Sequence, residues 1–173
     1  MANIARDLRG ERQPPAKVVS FLLDECRMVL PGIQALFGFQ LMVVFTEGFW
    51  DKLSSAERML HLAAIALIVI AVALVMTPAA YHRQAEQHSV SENFISLASR
   101  LLLLSMGPLL LGICLDFYLI ANVILVNEGI SIALSLVVLF VFTALWFLLP
   151  RMAALKQLAR GGPARLLSQH QRR

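Results

Sequence analysis

Four long apolar stretches alternate with short polar ones, and this alternation predicts the architecture. Met28–Thr46 runs 19 residues without a charge and Leu62–Ala80 another 19. Leu101–Asn127 runs 27 residues with Asp116 as its one charge, and Gly129–Pro150 runs 22 with none. A bilayer core about 30 Å thick takes roughly 20 helical residues at ~1.5 Å of rise each, so every stretch is long enough to cross. Lipid offers a bare backbone no hydrogen-bond partner, so such segments must satisfy their own amides as helices. The pattern predicts an all-α protein, a four-transmembrane-helix antiparallel bundle with spans at about 28–46, 60–80, 101–126 and 130–150.

The polar joints define the rest. Residues 1–19 read as a mobile N-terminal arm, 20–159 as the membrane domain and 160–173 as a basic tail. Val18–Cys26 is amphipathic and carries the first helix into the interface. The loop Glu47–His61 contains Phe49 and Trp50, suited to an aromatic belt, and Ser54-Ser55-Ala56-Glu57 has the capping-box spacing that starts a helix. Ser89-Val90-Ser91-Glu92 repeats that spacing before the third span. Asn127-Glu128-Gly129 is so short a join that spans three and four must neighbour each other, and Pro150 kinks or ends the fourth.

Composition agrees: 58% hydrophobic and 15% charged departs from soluble averages of about half and about a quarter. The net charge of +4 is a matter of topology. Thirteen Lys and Arg lie in the N-terminus, second loop and C-terminus, against two in the first and third loops. Such an excess marks the cytoplasmic side, so both termini are expected inside, in a bacterial inner membrane, with anionic lipids at the basic face. No motif supports nucleic-acid binding. The polar N-terminus, without a hydrophobic segment before residue 18, does not read as a cleavable signal. Cys26 and Cys114 differ in depth by roughly 18 Å, too far for a disulfide.

Asp116 is the charge inside a span, and an ionised acid there is costly unless paired. Its face runs Ser105, Leu109, Gly112, Asp116, Ile120, with Gly112 allowing close approach of a neighbouring helix. Gln40 in span one sits at the same predicted depth, and an amide can donate to a carboxylate. Asp116, Gln40, Gln34 and Gly112 are therefore named as the candidate intramembrane polar or ion site, with Gln34 more than a turn deeper and off that face. Glu25, Arg27, His82 and Arg83 fall near the cytoplasmic boundary as a candidate charge cluster. His82 and Glu86 have a helical ligand spacing, but two ligands rarely hold a metal, and no metal or cofactor is expected. Pro31, Pro78 and Pro108 read as bends within helices. No nucleophile elbow, phosphate-cradling loop or haem-type histidine pair is present, so no enzyme is expected.

Glu25-Cys26-Arg27 running into Leu30-Pro31-Gly32-Ile33-Gln34, then Pro78 through Tyr81-His82-Arg83, and the acid Asp116 give the chain a likeness over about residues 20–150. It resembles an uncharacterised family of bacterial four-span membrane proteins, a domain of unknown function, some members of which carry a sodium/proton antiporter label. The reading of the residues themselves leads to a non-catalytic component that assembles with itself or a membrane-protein partner, with Asp116 and Gln40 as its specificity-setting layer. The alternative is an oligomeric proton- or cation-coupled transporter or channel with Asp116 as the titrating group.

Overall fold

Helix α1 runs from Pro15 to Val44, α2 is the short Glu47–Lys52, and α3 spans Ser55–Ala85. Helix α4 follows from Glu92 to Leu125 and α5 from Glu128 to Thr143, continuing as a wider π turn, Ala144–Leu148. The structure is a computed structural model that describes residues 15–85, 92–153 and 155, and among these there is no strand. Among the described residues four helical segments are long and apolar enough to cross a membrane: Lys17–Val44, Ser55–Gln84, Asn93–Leu125 and Glu128–Ala153. Residues 1–14 of the expected arm, the basic tail 160–173 and the serines of the second capping box lie outside the described residues.

The helices overrun the apolar runs, because adding a residue to an existing helix costs far less than starting one. Residues 15–19, which the apolar pattern leaves in the arm, open α1. Helix α3 begins well before Leu62, at the first capping box. The Ser54 backbone N–H and hydroxyl both donate to Glu57 Oε2, at 2.8 and 2.7 Å, and the Glu57 N–H donates back to Ser54 Oγ at 3.3 Å. His61, expected at the end of the first loop, therefore lies in the second turn of α3. Helices α1, α3 and α4 each continue unbroken past their prolines, Pro31, Pro78 and Pro108.

Internal packing divides the chain into Met1–Asp116 and Phe117–Arg173. In the first part the buried positions recur at helical-seam spacing. On α1 they are Val19, Cys26, Ile33 and Gln40, one every seventh residue. On α3 they are His61, Ala64, Ile68, Ala71, Val75 and Pro78, at alternating three- and four-residue steps. Lipid tails are as apolar as the seam, so close packing and polar bonds hold such helices together rather than water exclusion. Small residues make that packing possible. A Cβ added at Gly112 would stand 2.8 Å from Ile68 Cδ1 and 3.3 Å from the Ala64 carbonyl oxygen, so α4 meets α3 closely there and a larger residue would have to push Ile68 and the α3 backbone aside. Val19 packs with Phe94 and Ala98, while Gln40 meets Asp116. These contacts make α1 and α4 parallel, and α3, whose His61 meets Gln40 at one end and whose His82 meets Phe94 at the other, is antiparallel to both.

In the second part, Val126 adopts a left-handed backbone (φ 51°) just after α4. Asn127 then caps α5 by accepting the Ile130 N–H at 3.1 Å. The fourth helix neither ends nor breaks at Pro150; it runs through to Ala153. The Leu149 N–H bonds to the Ala144 carbonyl, five residues back. Proline's ring crowds the carbonyl four residues before it, here Trp146, and the wider turn makes the room.

Candidate functional site

Each seam of the first part ends, on the side of the first loop, in a polar residue. Gln40 lies one turn before the end of α1, His61 two turns into α3, and Asp116 on α4 one turn beyond Gly112. Gln40 is 4% exposed, and the His61 and Asp116 side chains are 8% and 13% exposed. The Gln40 side-chain amide donates to Asp116 Oδ2. His61 Nδ1 stands 3.4 Å from Asp116 Oδ1. His61 Nε2 lies 3.0 Å from the Gln40 backbone carbonyl oxygen.

That last contact fixes the chemistry. A carbonyl oxygen only accepts, so Nε2 must carry the hydrogen and donate it. In a neutral imidazole Nδ1 is then a bare acceptor, and it faces a carboxylate oxygen, which is another. Two acceptors attract only with a proton between them. A bond between them would take one proton, as imidazolium with carboxylate or as imidazole with carboxylic acid. At 3.4 Å Oδ1 makes no hydrogen bond, and neither does Gln40 Oε1; both are buried and unpartnered among the described residues. Gln40 can serve either state of the acid, offering its N–H to a carboxylate or its oxygen to an acid hydroxyl.

Aromatic side chains close the site toward the loop. Phe49 of α2 is 5% exposed, and its ring meets the His61 ring edge-on at 5.3 Å. Trp50 packs against Phe49 at 5.4 Å, donates its indole N–H to the Val44 carbonyl at 3.0 Å, and carries the Arg58 guanidinium 5.2 Å above its ring.

Of the residues the sequence singles out, Gln40 and Asp116 bond directly, and Gly112 is the spacer beneath them. Gln34 does not belong to the site: it is exposed on α1, six residues before Gln40 and about 240° around the helix from it. At the other end Arg27 turns to Asp24 of its own helix, 3.7 Å away and exposed, and Glu25 is exposed beside it. His82 packs its ring against Phe94 at 5.6 Å, and Arg83 is exposed on the same turn of α3. These contacts draw Arg27 and His82 to different partners. His61 is the residue that sequence reasoning missed. Its signals were the capping box, which places it inside a helix, and its seven-residue steps to Ile68 and Val75. Among the described residues no three His, Cys, Asp or Glu gather as metal ligands. His61, Asp116 and the Gln40 oxygen suit a proton better than a transition metal.

A sequence model described as a family of unknown function, DUF6328, matches residues 12–150, which takes in the site and all four long helices up to Pro150. No curated protein and no solved structure matches the chain.

Proposed function

Since the chain belongs to the DUF6328 family, whose function is unknown, we propose that it is a multi-pass membrane protein that binds and releases a proton at His61 and Asp116. The pair is the titrating centre of a proton- or cation-coupled transporter or channel. One observation carries this reading: His61 spends its Nε2 hydrogen on a backbone carbonyl and turns a bare Nδ1 toward the Asp116 carboxylate. A buried acid facing a base, with an amide able to follow either protonation state, is suited to exchanging a proton rather than to gluing helices.

The competing reading, a non-catalytic component whose Gln40–Asp116 layer selects a partner, has less support. The two side chains already bond each other within one chain, in a site buried from its surroundings. Four helices enclose little space alone, which favours assembly with further copies. The Lys and Arg distribution supports a bacterial cytoplasmic membrane with both termini inside, so that the site lies toward the outer face.

The test is proton flux in proteoliposomes under an imposed pH gradient, with a pH-sensitive dye inside. Asp116→Asn and His61→Gln should each reduce flux to the level of empty vesicles while eluting from size exclusion like the native protein. Flux retained in a well-folded Asp116→Asn variant would overturn the proposal.

A further inference from the structure

Helix α2 is too short to stand alone. Its six residues are far below the length at which an isolated helix is stable in water, and Thr46 gives it no side-chain cap, bonding its hydroxyl to the Val43 carbonyl instead. Besides the stack of Arg58 on Trp50, two attachments hold it over the site. One is the Phe49 ring, the buried residue of α2, set against His61. The other is the bond from the Trp50 indole to the Val44 carbonyl, at the end of α1. The flanks, Thr46 and Leu53, are in extended conformation and can absorb a swing of the short helix. Glu47, Trp50, Asp51 and Lys52 are all exposed, so lifting α2 uncovers little beyond the one phenyl ring.

From this geometry we infer that Phe49 is the plug of the site, and that α2 is the hinged element that withdraws it to open His61 and Asp116 to the side of the first loop. The inference rests on the proton reading for what passes, but the plug itself is a matter of access. Phe49 is a positioning and gating residue; it exchanges no proton. A segment held by one buried side chain, one hydrogen bond and one exposed cation–π stack belongs to the low-stability end of a fold, where gates are found. Arg58, stacked on Trp50 and donating to Ser55 Oγ at 3.3 Å, ties the hinge to the first turn of α3, so the closed position is set from both helices that flank it.

The experiment is modification by diethyl pyrocarbonate, which acylates an accessible unprotonated imidazole, on the full chain in detergent micelles. Peptide mass spectrometry reads each histidine separately, at about pH 8, where an ordinary imidazole is neutral. Phe49→Ala should raise the His61 rate about tenfold or more, Phe49→Leu only slightly, and Trp50→Phe, which keeps a ring but deletes the indole bond, about threefold. His82, at the far end of α3, is the internal gauge and should change less than about twofold in each variant. Equal His61 rates in native protein and Phe49→Ala would overturn the plug. So would a rise shared equally by His61 and His82, since the ring would then be holding the fold rather than closing a site. Failure of the proton reading shows separately, as flux retained in Asp116→Asn, and leaves these rates unaffected.

Discussion

Helix α3 carries two histidines on one face, His61 near its start and His82 near its end, with Ile68 and Val75 between them at seven-residue steps. Some 21 residues of helix set them roughly 31 Å apart, about the thickness of a bilayer core. Each imidazole lies against a phenylalanine ring, Phe49 at 5.3 Å and Phe94 at 5.6 Å. What differs is the company of their nitrogens. His61 has a carbonyl at one nitrogen and a carboxylate facing the other. His82 Nδ1 is buried with no hydrogen-bond partner among the described residues, and the ring it faces, Phe94, is itself stacked on Tyr81 at 5.7 Å. An imidazole under an aromatic ring is a packing element; a second base placed opposite turns it into a proton site.

Three experiments press on that contrast. The largest effect should come from Gly112→Val, whose side chain has no room against Ile68 and the Ala64 backbone. Prying α3 from α4 there should cost about 3 kcal/mol in a denaturant titration in mixed micelles. It should also shift the His61 imidazole resonances by NMR further than those of His82, since Gly112 meets α3 at Ala64 and Ile68, near the His61 end; a larger shift at His82 would place the strain at the wrong end. Next, His61→Ala should cost about 2 kcal/mol, because it strands the Asp116 carboxylate and removes the partner of Phe49, whereas His82→Ala should cost about 1 kcal/mol or less. Equal losses would erase the distinction. The smallest effect lies within the site. Gln40→Leu and Asp116→Leu should each destabilise the protein, yet the double variant should cost about 1 kcal/mol less than their sum, since removing both leaves nothing unpaired. Strict additivity would mean that the amide and the acid do not sense each other.

The four spans were legible because bilayer thickness dictates their length, and the meeting of Gln40 with Asp116 was legible because two helices running the same way can be compared for depth by counting residues. His61 escaped for a related reason. Uncharged runs mark where lipid begins, not where a helix begins, so the run starting at Leu62 left the histidine outside, although the serine cap seven residues earlier had already started the helix. Gln34 was named with the site although its helical angle already set it off that face, and it is exposed on α1. The π turn before Pro150 could not be read, because a proline in sequence does not say whether the helix will stop, bend or widen. The plug escaped because an exposed aromatic pair in a loop looks the same whether it anchors to headgroups or folds back.

The seven-residue interval along α3 has a mechanical consequence. A straight helix drifts about 20° per heptad, so for residues 61, 68, 75 and 82 to face the same neighbours the helices must coil gently about each other, in the left-handed sense. Once coiled, α3 behaves as a single shaft. Any roll about its own axis that swings the imidazole at 61 away from the acid must also pull the one at 82 from beneath its phenyl ring, so the two membrane faces would register the same movement together.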